Sequence, residues 1–294
     1  MLIVQPGDSF FPLVDAIDNA TQTINMTIFR MDDPVVRDAL SHAVERGVRV
    51  KALVAPSSKG WTRRNKELTY DLSKLGVEVK SPKPGKEKYK RYHYKMMIVD
   101  DRLSLVLTFN PTQKNMHYAR DFGLLIRDPK IAIELNRLFD ADWMGKTFTP
   151  ANLPLVISPH NSRAKLLDLI DSADRTIRIM DAKLRDKDII NLLMQKSAAG
   201  CDVKIISRRI SLNGAAANLQ VKRLSRYKLH AKTIVIDGNR FFIGSQNLRK
   251  ANLDSRREAG IMVEDPALGL KINRIFDEDW EDSNSVSVAQ KSKG

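Results

Sequence analysis

Residues 229–247, Leu-His-Ala-Lys-Thr-Ile-Val-Ile-Asp-Gly-Asn-Arg-Phe-Phe-Ile-Gly-Ser-Gln-Asn, set His230, Lys232 and Asp237 in an H-x-K-x4-D array and add Ser245 and Asn247 after a second apolar run. Thr, Ile and Val make residues 229–237 a strand, and Gly238-Asn239 supplies a turn. Side chains alternate along a strand, so His230 and Lys232 project to one side. Residues 240–245 pair back across the turn, with Ser245 and Asn247 again two apart. An imidazole, an ammonium, a hydroxyl and an amide in one small volume suit a phosphate. Lys supplies charge, Ser and Asn supply hydrogen bonds, and His can attack or move a proton.

The array occurs twice. Residues 92–100, Tyr-His-Tyr-Lys-Met-Met-Ile-Val-Asp, repeat it with His93, Lys95 and Asp100, and Thr108 and Asn110 stand in the places of Ser245 and Asn247. Each pair is 137 residues apart, from His93 and His230 to Asn110 and Asn247. The same offset joins Asp121 to Glu258 and Trp143 to Trp280. A pattern kept in constant register is an internal duplication.

These residues resemble the phospholipase D superfamily, marked by two H-x-K-x4-D…G-S-x-N motifs that meet at a pseudo-twofold axis. The second motif matches in full. In the first, Leu107-Thr108-Phe109-Asn110 replaces Gly-Ser-x-Asn, and Asp121 takes the place of the usual Glu. The resemblance spans nearly the whole chain and implies a phosphodiesterase working through a covalent phosphohistidine. By that analogy His93 is the nucleophile and His230 the acid, although the sequence leaves their order open. Lys95, Lys232, Asn110 and Asn247 would hold the non-bridging oxygens in place of a metal, and Asp121 and Glu258 would orient the imidazoles. No cofactor is implied.

Phospholipid head-group hydrolysis or transfer is the leading expectation, as in bacterial phospholipase D and cardiolipin-synthase-like proteins. A metal-independent nuclease or nucleic-acid end-processing phosphodiesterase is the alternative. A binding protein with a dead site runs against the intact His, Lys and Asn of both halves. Asp100 and Asp237 sit seven residues past their histidines, an odd spacing at a strand end, so turn capping or an ion pair is expected of them.

The formal net charge of +14 implies attraction to polyanions: an anionic phosphodiester substrate, an acidic membrane surface, or nucleic acid. Residues 57–92 hold 11 Lys and Arg against four acids, and residues 205–229 hold six with none. Both stretches read as loops feeding a motif histidine, so a positive rim around the cleft is expected. Trp61, Tyr70, Tyr89 and Tyr92 interleave with the first and suit stacking on bases, dipping into lipid, or anchoring the loop. The five histidines form no H-x3-H or H-E-x-x-H pair, which argues against a catalytic metal. Cys201 is the single cysteine and reads as a small buried residue. No run approaches the roughly 20 apolar residues of a membrane helix, and no export signal is visible. The expectation is a soluble or peripheral protein, cytoplasmic in this form, and a monomer because both motifs share one chain.

Alternating strands and helices predict an α/β fold of two duplicated halves, each a mixed sheet flanked by helices and related by a pseudo-twofold axis. Residues 1–145 form the first half, 146–154 a linker, 155–282 the second half, and 283–294 a disordered tail. Near the start of each half the offset is 153 (Pro6 to Pro159, Gly47 to Gly200) rather than 137, so the first half holds 16 extra residues, 153 minus 137, before His93.

Overall fold

The computed structural model describes residues 1–56, 58, 60–82, 89–208, 210 and 219–285. Each half contributes one sheet. The first runs β1 (Leu2–Gln5), β7 (Ala119–Ile126), β6 (Leu103–Leu107), β5 (Met96–Val99), β2 (Thr23–Ile28), β3 (Arg49–Val54) and β4 (Glu78–Lys80). The second runs β8 (Leu155–Ser158), β15 (Glu258–Glu264), β14 (Arg240–Gly244), β13 (Lys232–Ile236), β9 (Thr176–Asp181), β10 (Asp202–Ile206), β11 (Gln220–Leu224) and β16 (Ser283–Ser285). The order matches strand for strand, apart from β16.

Both sheets are mixed for the same reason. Helix α2 (Pro34–Glu45) carries the chain from β2 to a parallel β3, and α7 (Lys187–Ala198) carries it from β9 to a parallel β10. The motif strands instead turn back as tight hairpins, β5 on β6 and β13 on β14. Asp33 and Asp186 cap the two crossover helices, accepting from Val35 N and Ile189 N respectively. Gly47 and Gly200 end them with φ of 84° and 94°, which a side chain would resist.

Asp100 and Asp237 occupy the hairpin turns, each with φ of 51°. Asp100 accepts from the backbone N–H of Thr21, Gln22 and Thr23, and Asp237 from those of Asp174, Arg175 and Thr176. Each therefore ties its hairpin to the start of a neighbouring strand, at the end away from the motif histidine.

One apolar cluster lies behind each sheet, and a third lies between the halves. Leu135 and Phe139 of α5 (Pro129–Met144) and Ile272 and Phe276 of α9 (Pro266–Glu281) share that third cluster. Trp143 stacks on Phe139 and Trp280 on Phe276, with centroids 5.6 and 5.8 Å apart, so the tryptophans pack rather than react.

Two expectations need correction. Residues 57–92 are not a plain loop: α3 (Thr62–Lys74) and β4 lie within them. Asn65, Leu68 and Leu72 are buried at helical spacing, a stripe that the surrounding charge conceals in the sequence. The expected tail starts too early as well, because Ser283–Ser285 form β16 antiparallel to β11, and Ser283 Oγ donates to Asp279 O at 2.6 Å. Residues 286–294, together with 83–88 and 211–218 of the two basic stretches, lie outside the described residues.

Candidate active site

Each motif histidine is fixed by backbone from the other half. Strand β12 (Lys228–Leu229), just ahead of His230, pairs parallel with β7 of the first sheet. His230 N and Ala231 N both donate to Arg120 O, at 3.1 and 2.9 Å. In mirrored fashion Tyr92 bridges Arg257, and His93 N donates to Arg257 O at 2.9 Å.

The side chains cross in the same way. His93 Nδ1 lies 2.8 Å from Glu258 Oε2, and His230 Nδ1 lies 2.9 Å from Asp121 Oδ1. Both acids are fully buried. Each is gripped by an amide: Asn252 Nδ2 donates to Glu258 at 2.5 Å and Asn115 Nδ2 to Asp121 at 2.8 Å. With Nδ1–H spent on a carboxylate, Nε2 is the ring nitrogen left for chemistry in both histidines. The residue before each acid is an arginine that also crosses. Arg120 Nε meets Asp279 Oδ2 at 2.6 Å and Arg257 Nε meets Asp142 Oδ2 at 3.0 Å, both pairs buried.

Lys95 and Lys232 lie beneath the rings rather than in the cleft wall. Lys95 Nζ is 3.5 Å from both nitrogens of His93 and donates to His93 O. Lys232 Nζ is 3.2 and 3.3 Å from those of His230 and donates to Thr108 O at 3.0 Å. A phosphorus bonded to Nε2 would keep its oxygens within reach of either ammonium. Asn110 and Asn247 do line the cleft. Thr108 and Ser245 do not, contrary to the idea that a hydroxyl binds the phosphate. Thr108 Oγ1 donates to Asp121 at 2.6 Å and accepts from Phe122 N, while Ser245 hydrogen-bonds Glu258 and accepts from Ala259 N. Both serve the acids.

The cleft holds about 430 Å³. Arg30, Arg91 and Lys114 of the first half and Lys183, Arg208, Lys228 and Arg256 of the second line it, and no carboxylate does among the described residues. The first basic stretch thus reaches the wall through Trp61 and Arg91. Tyr92 is buried, Tyr89 packs on Arg257 at 3.8 Å, and Tyr70 is exposed outside the cleft, so these three do not meet a ligand there. Among the described residues no three His, Cys, Asp or Glu side chains gather as a metal site requires.

Burial shifts the groups at and under the two rings. It holds His93 well below the ordinary histidine range, helped by Lys95 and Lys232. It lowers His230 to about 4 although Asp121 opposes it. Burial and Lys232 bring Lys95 down to about 7. The two acids then part company. Burial pushes Glu258 up to about 7. Burial also pushes Asp121 up, but His230 and Lys232 outweigh it and leave that carboxyl below its ordinary value. The acid under His230 is a firm anion; the acid under His93 is not.

A family model described as cardiolipin synthase, phospholipase D-like domain, matches residues 13–143 and 166–280. The chain belongs to the phospholipase D superfamily. Its curated relatives within reach of sequence comparison include the polyphosphate kinase of Mycolicibacterium gilvum (strain PYR-GCK), 28% identical over 307 residues, covering 94% of this chain and 41% of that protein. The polyphosphate kinase of Mycobacterium tuberculosis (strain CDC 1551 / Oshkosh) is 27% identical over 311 residues with the same coverage. The chain therefore spans about two fifths of the length of these relatives. Among solved structures, polyphosphate kinase from Porphyromonas gingivalis superposes with a TM-score of 0.79 at 21% identity, over 96% of this chain and 47% of that one. Phosphatidylserine synthase from Haemophilus influenzae Rd KW20 superposes with a TM-score of 0.70 at 12% identity, over 100% and 89%. These superpositions establish the phospholipase D fold for both halves together.

Several site residues escaped the sequence reading. Asn115 and Asn252, Arg120 and Arg257, and Asp142 and Asp279 are all 137 apart, so the duplication itself carried the signal. Asp181 had none, because the 153 offset puts Ile28 in its place. It is fully buried opposite Lys232 on β9, accepts from Lys183 N and Leu248 N, and is pushed by burial up to about 6.

Proposed function

We propose that this chain is a phosphohistidine phosphodiesterase or transferase whose substrate presents several phosphates in a row. The observation that carries the reading is the cleft itself: two histidines, each oriented by a buried acid, under a wall of seven Lys and Arg side chains. One head-group phosphate would meet only part of that charge. Burial and neighbouring cations already lower Lys95, Lys183 and Lys228, so a polyanion would relieve repulsion among groups that are costly to keep charged. Among the described residues the exposed large apolar side chains, such as Phe11, Val35, Ile133 and Leu270, are scattered over different elements and offer acyl chains no continuous groove. The preference therefore moves from a phospholipid toward a nucleic-acid strand or a phosphate polymer, in keeping with relatives named polyphosphate kinase.

In the proposed cycle His93 Nε2 attacks phosphorus, and the bond from phosphorus to the leaving oxygen breaks as His230 gives that oxygen a proton. Water, or an acceptor alcohol, then gives its proton to His230 and bonds to phosphorus while the N–P bond breaks. The unequal acids favour this order. His230 must enter the cycle as an imidazolium; burial opposes this, and an ionised Asp121 together with the bound phosphate anion favours it, whereas His93 must stay neutral to attack, and Glu258 offers it less negative charge. Lys95, Lys232, Asn110 and Asn247 would hold the non-bridging oxygens.

The test is turnover on a small phosphodiester, a single-stranded oligonucleotide, inorganic polyphosphate and phosphatidylglycerol vesicles, with a denaturing alkaline quench to trap a protein-bound phosphoryl group. Turnover of a phosphate chain with an acid-labile adduct on His93 is expected. Turnover confined to the vesicles would reject the polyanion, and the absence of any adduct would reject the covalent route.

A further inference from the structure

A second pocket of about 460 Å³ adjoins the catalytic cleft and shares two residues with it, Arg208 and Lys228. Its remaining wall includes Arg223 and Arg226 from the second half and Tyr118 from α4 (Gln113–Tyr118) of the first. Among the described residues Arg208, Arg223 and Lys228 are in no ion pair, and Arg226 has one, with Asp282 at 3.5 Å on the surface. Tyr118 is 67% exposed, although aromatic rings are usually covered. Tyr227 beside it is already occupied, with Arg120 and Arg226 over its ring at 4.7 and 5.1 Å.

The pseudo-symmetry provides an internal control. The 137 offset puts Tyr89 where Arg226 stands, and Asp254 and Ser255 where His117 and Tyr118 stand. Tyr89 fills its side by packing on Arg257 at 3.8 Å and meeting His160 at 3.2 Å, and Asp254 is paired with Arg163. Among the described residues, a paired acid and a packed tyrosine on one side face an open, basic, aromatic pocket on the other. The duplicated scaffold does not require that difference, so it points to a ligand.

We infer that this pocket holds the non-reacting part of a single-stranded nucleic acid, with backbone phosphates on Arg223 and Arg226 and a base stacked on Tyr118. The inference rests on the proposed phosphodiesterase reading and names its substrate. The path is short and continuous: Lys228 and Arg208 line both cavities, and the chain runs directly from Lys228 to His230. A bare phosphate chain would use the arginines but would gain nothing from an exposed phenol ring, whereas every nucleobase offers a face to stack. The pocket lies on the His230 side, where the leaving oxygen is protonated in the proposed cycle. The retained strand is therefore the leaving fragment.

The test compares wild type with Arg223→Ser/Arg226→Ser and with Tyr118→Ala on a small phosphodiester and on single strands from a dinucleotide to about twelve nucleotides, within the usual span of such sites. All three proteins should turn over the small diester alike. KM of wild type should fall with strand length. The double arginine variant should lose that fall and flatten the log-log salt dependence by about 1.4 units, about 0.7 for each phosphate contact on a single strand. Tyr118→Ala should raise KM for the long strand by about 5- to 150-fold, the range for loss of one base–aromatic stack. If the small diester is turned over but strand length and the variants leave KM unchanged, the pocket inference falls and the catalytic reading stands. If inorganic polyphosphate competes as well as the long strand and Tyr118→Ala is silent, the ligand is not a nucleic acid. If neither the diester nor any strand reacts, the catalytic reading falls first.

Discussion

Asp121 and His230 face each other from opposite halves of the chain, with Oδ1 2.9 Å from Nδ1, and the carboxyl is held below its ordinary range by the histidine and by Lys232 despite burial. Its counterpart Glu258 sits at about 7. Asp121→Asn should therefore lower kcat by about 10²–10⁴, the usual worth of positioned acid–base catalysis. Glu258→Gln, measured at pH 6 where Glu258 is largely protonated already, should cost less. Equal losses in steady-state rates at pH 6 would contradict the assignment of acid and nucleophile.

A substrate whose leaving group needs no proton separates the two histidines. With a nitrophenyl phosphodiester, His230→Ala should still form the covalent adduct in a burst near the wild-type rate, whereas His93→Ala should form none. On an unactivated diester both variants should be inactive, and combining them should add little, because the residues act in one cycle. An adduct on His93→Ala would reverse the roles.

Charge in the cleft sets a pH dependence. Lys95, lowered to about 7 by burial and Lys232, is charged in the fold only below that pH. Between about 7 and its ordinary value the unfolded chain holds the extra proton, so the empty fold gains stability from this group as pH rises through that window. An anion that needs the charge should act oppositely. Millimolar sulfate, whose own charge is constant, should raise the melting temperature more at pH 6 than at pH 8, since it binds the native cleft and not the unfolded chain. A larger shift at pH 8 would place the anion away from Lys95.

Arg257 is wholly buried and reaches Asp142 across the two halves. Asp142→Ala leaves that guanidinium without its carboxylate and Tyr94 OH without its acceptor at 2.6 Å. A loss of about 3–5 kcal/mol in denaturant unfolding is expected, as for other buried pairs broken from one side. Replacing an exposed pair, such as Arg63 with Glu67, should change stability by less than about 1 kcal/mol.

Much of this arrangement is visible before any fold is known. The H-x-K spacing places each lysine under its histidine, and the β-rich runs around Gly238 form the expected hairpin. The constant 137 offset pairs equivalent residues, but it says nothing about which half an acid faces. Asp121 serves His230 rather than His93 because β7 and β12 pair across the halves, a tertiary event with no local pattern. Thr108 and Ser245 point to the acids for a related reason: one residue's placement beside a buried carboxylate outweighs its alternation with Asn110 or Asn247. Asp181 is illegible because only one half has it. Helix α3 was hidden by its charge, since a stripe of Asn65, Leu68 and Leu72 is thin against five lysines and arginines, Arg63, Arg64, Lys66, Lys74 and Lys80, around it.

The crossed bonds between the halves also bear on how the protein is born. His93 leaves the ribosome early, but the carboxylate that orients it, Glu258, lies 165 residues further along the chain. Its backbone anchor, Arg257 O, is one residue nearer. A nascent or truncated chain thus carries an unaligned imidazole and a solvated lysine, with no oriented nucleophile. The proposed chemistry needs both halves docked, so a chain that still lacks residues 257 and 258 has no oriented His93 with which to perform it.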